Sequence, residues 1–130
     1  MKKSVIFSMI VVLIAATAWG YKQEDLDRVK KTKRCPVCDC SKTDLSHSSL
    51  IKADLRAADL REANVREGFW SRADMSSADP RGASLYRAVL NGANLRGAVL
   101  QDADLNFAQM RDVILCNTVM PDGQRIFKDC

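Results

Sequence analysis

Three cysteines close together in the sequence Cys-Pro-Val-Cys-Asp-Cys are the residues best suited to chemistry. They are Cys35, Cys38 and Cys40, and the single histidine of the chain, His47, follows them. Thiolates and imidazoles bind zinc, but the motif is not matched by a second ligand pair at the usual spacing. A C-x-x-C pair can also exchange disulfides, in a βαβ context that this sequence does not predict. Metal binding and redox catalysis are therefore minor alternatives.

Motifs for other catalytic chemistry are absent from the sequence. It contains no G-x-S-x-G, H-E-x-x-H, G-x-x-x-x-G-K or G-x-G-x-x-G. Acid pairs such as Asp102 and Asp104 belong to a repeat that recurs along most of the chain. We therefore expect no enzyme activity and no cofactor.

The first twenty residues have the three parts of a secretory signal peptide. Two lysines are followed by an apolar stretch at residues 5–14 and by small residues up to Gly20. Cleavage after Ala18 or Gly20 would release an exported protein, periplasmic or extracellular, without stable membrane insertion. An uncleaved anchor at residues 4–19 is the alternative, although the apolar stretch is short for a bilayer.

The charge balance argues against a nucleic-acid partner. The chain has 20 basic and 16 acidic residues, and loss of the two signal lysines leaves 18 against 16. Residues 21–34 have six basic and three acidic residues, a net charge of +3, and residues 35–130 are close to neutral at −1. A nucleic-acid binder needs a strong basic stripe, which is missing here.

A repeat of five residues must position these side chains. A large residue, mostly apolar, returns in sixteen consecutive units from Cys40 to Leu115, with a small residue two before it and often Asp or Asn one before it. Five is neither the period of a helix nor that of a strand. A short extended segment with two inward residues, followed by a turn, explains the pattern. Four such segments close a coil, so residues twenty apart stack about 4.8 Å apart.

The units ADLRA, ADLRE, ANLRG and ADLNF resemble the pentapeptide-repeat family, over residues 35–130. The flanks KTKRCPVCDC and LCNTVMPDG resemble those of secreted-type members. This resemblance implies an all-β fold, a right-handed quadrilateral parallel β-helix of about four coils. The best-understood activity in the family is mimicry of DNA toward type II topoisomerases. That activity would require a cytoplasmic protein with an acidic surface.

The predicted organisation has four parts: a signal peptide at 1–20, a leader at 21–34, the β-helix at 35–115 and a hairpin cap at 116–130. A helical cap in the leader is expected to place Leu26 and Val29 on the first coil, a disordered basic arm being the alternative. Trp70 and Pro80 are unusual centre residues, so we expect a bulged side at 68–82.

Disulfides are the default for cysteines of an exported protein. Cys116 and Cys130 bracket a Pro-Asp-Gly turn between two short β-prone runs, which predicts a disulfide-closed hairpin. Cys35–Cys38 is the second predicted pair. Cys40 occupies an inward centre position and is predicted to be a buried thiol.

Stacking at twenty places Asp39, Asp59 and Asp79 in one outward row. Three carboxylates at that spacing are weak candidates for a cation site. The favoured interpretation is that each Asp accepts a hydrogen bond from the backbone of its own turn.

An apolar surface is predicted on another side of the coil. Phe69 and Val89 occupy the outward position usually taken by Asp or Asn, Ile51 lies on the same side, and Tyr86 and Phe107 flank the adjoining edge. A contiguous apolar patch on an exported rod indicates an unknown protein partner. The alternative is that Trp70 shifts the register and Phe69 turns inward.

The sequence as a whole favours an exported, non-enzymatic scaffold with a protein-binding surface. A DNA-mimicking topoisomerase-binding protein of the cytoplasm is the alternative, and a metal-binding envelope protein is the second alternative.

Overall fold

The structure, a computed structural model, describes residues 22–130. The predicted signal peptide and the alternative membrane anchor lie before residue 22, outside the described residues. Within residues 22–130, no helix has the length and the apolar character needed to cross a bilayer.

One helix, α1 (Gln23–Thr32), precedes the repeats. Its first turn is acidic and its last turn basic, which complements the helix dipole. Leu26 and Val29 lie on one face, and both are buried in the same cluster as the repeat core. The carboxylate of Asp25 accepts a hydrogen bond from the Asp39 N–H at 2.9 Å. Apolar burial and this bond together join the helix to the first repeats.

The chain after α1 winds as a parallel β-helix in which residues twenty positions apart pair between neighbouring coils. One of the parallel bridges joins Asp39 to Asp59. The Asp74 N–H donates to the Ala53 carbonyl and the Leu55 N–H donates to the Asp74 carbonyl, each at 2.8 Å. Each side of a coil contributes one bridged residue rather than a long strand, because the chain turns after every fifth residue.

The corners use a left-handed backbone at the second residue after each centre. The φ angle is 56° at Ala57 and 67° at Gly97. The following residue closes the turn, as when the Ala58 N–H donates to the Leu55 carbonyl at 3.1 Å. Side chains branched at Cβ disfavour this conformation. Within residues 22–130 only one such side chain adopts it, Val37 with a φ of 61°.

The centre residues and the small residues two before them fill the core. The apolar centres from Leu45 to Leu100 are at most 1% exposed, and the alanines between them are equally buried. The centres of the last coil, Leu105, Met110 and Leu115, are only half-buried. The interior is therefore sealed along its length and more open at its C-terminal end.

Trp70 fits a centre position because its two neighbours are small. Its side chain is fully buried, and its indole N–H donates to the Ser48 hydroxyl oxygen at 3.0 Å. Gly68 stands where most units carry alanine, and a Cβ there would lie 2.9 Å from the Trp70 Nε1 and 3.1 Å from its Cδ1. The Trp70 side chain thus requires glycine at 68, and its polar atom uses the serine of the preceding coil.

The bulged side expected at residues 68–82 is wrong, because the turns and bridged residues there follow the same pattern as in the other units. Pro80 is buried at its centre position and lacks the N–H that other centres donate to the ladder. The flanking bonds are nonetheless formed: the Asp79 N–H donates to the Ala58 carbonyl and the Ala83 N–H donates to the Pro80 carbonyl, each at 3.0 Å. The coil therefore accommodates the loss of one donor without a change in register.

The chain ends in an antiparallel hairpin formed by β1 (Thr118–Val119) and β2 (Arg125–Ile126). The Gly123 N–H donates to the Met120 carbonyl at 2.9 Å, and glycine supports the φ of 84° at this turn. The β1 residue Val119 also pairs with the coil below it, through a parallel bridge to Val99. The hairpin is therefore continuous with the last coil.

Candidate protein-binding surface

Phe69 and Val89 share one outward row of the β-helix. Parallel bridges place Ser49, Phe69, Val89 and Gln109 one above another. The Phe69 side chain is 51% exposed, and Val89 is half-buried. Trp70 points inward while Phe69 points outward, so the alternative in which Phe69 turns inward is wrong.

An aromatic pair occupies the corner that precedes this row. The rings of Tyr86 and Phe107 meet edge to face, with centroids 5.6 Å apart and planes at 80°. Edge-to-face contact is a favourable arrangement of aromatic quadrupoles. Phe107 is 76% exposed, which is unusual for so large an apolar side chain. We call Phe69, Tyr86, Val89 and Phe107 the aromatic patch.

Ile51 is the fifth residue predicted for this surface. It is exposed and lies on the same side as Phe69, one coil earlier and on the other flank of the centre residues. The structure therefore places it at the margin of the aromatic patch and outside the row of Phe69 and Val89.

Two arginines at this corner were missed by the sequence reasoning. The guanidinium carbon of Arg66 lies 4.4 Å from the Tyr86 ring centroid, and that of Arg87 lies 5.3 Å from it. Cations over an aromatic face are attracted by the ring quadrupole. The sequence signal was the asparagine at 64, where several other arginine-containing units carry aspartate.

The aspartate row has the arrangement that the favoured interpretation predicts. Asp39, Asp59 and Asp79 are aligned by parallel bridges, and each accepts a hydrogen bond from the backbone N–H two residues later. Asp59 and Asp79 also accept bidentate bonds from Arg61 and Arg81, at 2.7–2.9 Å. The carboxylates of Asp59 and Asp79 therefore already have cationic and N–H partners, which would compete with a metal ion.

We expect the free energy of unfolding to fall as the pH drops below about 4. Hydrogen bonds from Arg61 and Arg81 to the charged carboxylates lower the pKa of Asp59 and Asp79 in the folded state. A lowered folded-state pKa stabilises the protein above the unfolded-state pKa, and this stabilisation is lost as the pH falls through the folded-state pKa. Urea denaturation across this pH range measures the effect. The double variant Asp59→Asn, Asp79→Asn should show a shallower fall, and an equal fall would contradict the assignment.

Four cysteines form two disulfides in the structure, Cys35–Cys38 and Cys116–Cys130. The two sulfurs of the first pair and the Asp25 carboxylate form one compact group of the kind that can hold a metal. In the disulfide, however, neither sulfur is a thiolate, which is the form that binds metals. The Asp25 carboxylate also accepts the Asp39 N–H.

Cys40 is a buried free thiol at a centre position. Burial raises the pKa of this thiol to about 12, and the charges of Asp25, Asp39 and Asp59 contribute to the rise. The thiol, rather than the reactive thiolate, is therefore the form present at neutral pH. His47, the histidine that follows the cysteine motif, lies exposed at a corner, and its Nδ1 is 3.9 Å from the Glu67 Oε2.

Sequence comparison identifies the repeat. Eight copies of pentapeptide repeats are matched in overlapping segments at residues 38–76, 53–88 and 81–117. No curated protein matches the chain in sequence.

Several solved structures are similar to this one, and two of those named below are pentapeptide repeat proteins. HetL, involved in regulation of heterocyst differentiation in the cyanobacterium Nostoc sp. strain PCC 7120, is 32% identical, with a TM-score of 0.41 and coverage of 72% of this chain and 51% of HetL. This chain thus spans about half the length of HetL. A pentapeptide repeat protein from the cyanobacterium Cyanothece 51142 is 20% identical, with a TM-score of 0.50 and coverage of 75% of this chain and 97% of that protein. QnrB1, a plasmid-mediated fluoroquinolone resistance protein, is 18% identical, with a TM-score of 0.37 and coverage of 65% and 58%.

The matched repeats cover more than half of the chain, and the Cyanothece protein shares the fold over nearly its whole length. The parallel coil, the inward centre residues and the twenty-residue stacking agree with both comparisons. The coil is accordingly a right-handed β-helix, and the chain belongs to the pentapeptide repeat family.

Proposed function

We propose that this protein is an exported, non-enzymatic scaffold that binds a partner protein through the aromatic patch. The observation that carries the proposal is the exposure of Phe69 in one outward row and of Phe107 at the corner just before the same row. Neighbouring exposed apolar side chains that form a patch are typical of protein-interaction sites. Aromatic and arginine side chains are also the types enriched in protein interfaces.

Export is supported by the signal-like composition of residues 1–20 and by two disulfides in the structure. Disulfides persist in the periplasm and outside the cell, and they are rare in the cytosol. In the same proposal, residues 35–115 form about four coils. The helix α1 caps the first coil and the hairpin at 116–130 caps the last.

The localisation is tested by fractionating the native cells and measuring the intact mass with and without thiol alkylation. We expect a chain in the exported fraction that begins at Trp19 or Tyr21 and has one alkylated thiol, Cys40. A full-length chain in the membrane fraction would instead indicate an uncleaved anchor at residues 4–19. A full-length, reduced chain in the cytosol would contradict export and make topoisomerase binding the next assay.

The binding surface is tested by placing a photo-crosslinking amino acid at position 69 or 107 in native cells. Position 57 is the control, because Ala57 is also exposed but lies on another side of the coil. We expect one crosslinked protein from positions 69 and 107 and none from position 57. The purified partner should bind the purified protein and lose affinity for Phe107→Ala. Equal crosslinking from all three positions would refute the proposed surface.

A further inference from the structure

Arginines follow the centre residue in several units, and in the three units that also carry aspartate before the centre the arginine is paired with it. The aspartate two positions earlier accepts bonds of 2.7–2.9 Å from the Nε and Nη2 atoms of the guanidinium. These bidentate pairs are strong and fix the direction of the side chain along the coil. The arginines so held are Arg56, Arg61 and Arg81.

Arg66 differs because asparagine occupies position 64. The Asn64 side-chain oxygen accepts only the backbone N–H of Arg66, at 3.2 Å. The guanidinium is free of the neutralising pair and lies over the Tyr86 ring instead. Arg87, the residue directly after Tyr86, also lies near this ring. The acidic residue of this corner, Glu67, has its carboxylate near His47 rather than paired with either arginine.

The guanidinium groups of Arg66 and Arg87, which both lie near the Tyr86 ring, are therefore not neutralised by a paired carboxylate. In residues 22–130, no carboxylate oxygen lies within 4.0 Å of a side-chain nitrogen of Arg66 or Arg87. A guanidinium stacked on an aromatic ring keeps its N–H donors in its own plane, where they can bind a carboxylate in a bidentate manner. The exposed Phe107 ring beside them offers apolar contact.

We propose that Arg66 and Arg87, held on Tyr86, bind a carboxylate side chain in an acidic segment of the partner protein. This inference rests on the proposed function, because it names the chemistry of the partner at the same surface. Charge complementarity carries it: the two arginines are cationic groups with no carboxylate oxygen within 4.0 Å of their side-chain nitrogens, and they lie beside an exposed aromatic pair.

A nucleic acid would offer phosphates to the same arginines, but the surroundings oppose it. The neighbouring sides present aspartate–arginine pairs, such as Asp59–Arg61 and Asp79–Arg81, which add no net positive charge to the corner. Phosphate-backbone binding needs many cations along a strand, whereas this corner supplies two. A single carboxylate with apolar neighbours matches the corner better.

The test uses a matched pair of substitutions in the full chain, Asn64→Asp and Asn94→Asp. Both positions precede a centre, both have arginine two residues later, and both changes add one negative charge. In the first variant the new carboxylate recreates the aspartate–arginine pair and withdraws Arg66 from Tyr86. In the second, the pair formed with Arg96 lies on another side of the coil.

The probe is a short poly-glutamate peptide, and NMR follows the Nε–Hε signals of the arginines. We expect the peptide to shift the signals of Arg66 and Arg87. Asn64→Asp should weaken its binding about tenfold or more, and Asn94→Asp should leave it within about twofold. Equal weakening by the two variants would show that only net charge matters and would overturn the inference. Tighter binding of an oligothymidylate at the same signals would also overturn it.

The two proposals can fail separately. If the partner crosslinked at positions 69 and 107 presents no acidic segment, the carboxylate site is wrong and the scaffold function stands. If crosslinking from positions 69, 107 and 57 is equal while poly-glutamate still selects Arg66, the proposed interface is wrong and the carboxylate site stands as an isolated property. Equal unfolding midpoints of the two variants ensure that neither result reflects misfolding.

Discussion

Replacing Trp70 with alanine is expected to lower the free energy of unfolding by about 3–5 kcal/mol. The indole is fully buried at the centre of the rod, so its loss leaves a cavity between coils that cannot collapse without breaking their ladder bonds. The Ser48 hydroxyl oxygen also loses the hydrogen bond that it accepts from the indole N–H. Urea denaturation measures the change. Phe107→Ala removes another large aromatic side chain, but from an exposed position, and should change the value by no more than about 0.5 kcal/mol.

The same site predicts strong coupling with Gly68. Gly68→Ala alone should cost about 1–3 kcal/mol, because the new Cβ would overlap the Trp70 ring. Trp70→Leu alone should also destabilise the protein, since leucine leaves part of the indole space empty. Together the two changes restore the alanine and leucine of an ordinary unit, so the double variant should be more stable than the sum of the single effects implies. Additive effects across the double-mutant cycle would refute direct packing as the reason for glycine at 68.

Removal of the Cys116–Cys130 disulfide should produce the second large loss, about 3 kcal/mol in the chain-entropy model. The bond closes a segment with a sequence separation of 14 and holds the hairpin beside the last coil, whose centres are only half-buried. The double variant Cys116→Ser, Cys130→Ser should therefore unfold at lower urea concentration.

The matched control is Cys35→Ser, Cys38→Ser, which opens a loop with a separation of only 3. Because loop entropy rises with the logarithm of length, this variant should lose about 1 kcal/mol less than the C-terminal one. A larger loss from the N-terminal pair would show that the contact between its loop and α1, rather than loop entropy, determines the effect.

The five-residue repeat was sufficient to predict the fold because it reports directly which side chains point inward. A leucine at every fifth position and an alanine two before it have one consistent placement, a coil with stacking at twenty. The positions of Phe69 and Val89 in one row follow from the same count. These features depend on backbone geometry that every unit shares.

Other features depended on contacts between coils that a single unit does not reveal. The bulge expected at 68–82 was wrong because Gly68 and Ser48 together make room for Trp70 and satisfy its N–H. The position of Arg66 over Tyr86 was missed because the direction of a long side chain depends on the residues of the neighbouring coil, twenty positions away. Reading each residue against the one twenty positions later would have placed Arg66 beside Tyr86, whereas Trp70 bonds Ser48 at a separation of 22.

The left-handed corner after every centre has a consequence for how the length of such a chain can change in evolution. Each unit turns the chain by one side of a four-sided coil, so an insertion of five residues preserves the interior but rotates everything after it by a quarter turn. Insertion of one unit between Phe69 and Tyr86 would leave a sound core and carry Tyr86 to a neighbouring side. Only additions of a full twenty residues would lengthen the rod and keep every surface row in phase. Selection on the interior alone therefore permits steps of five, whereas selection on a binding surface permits steps of twenty.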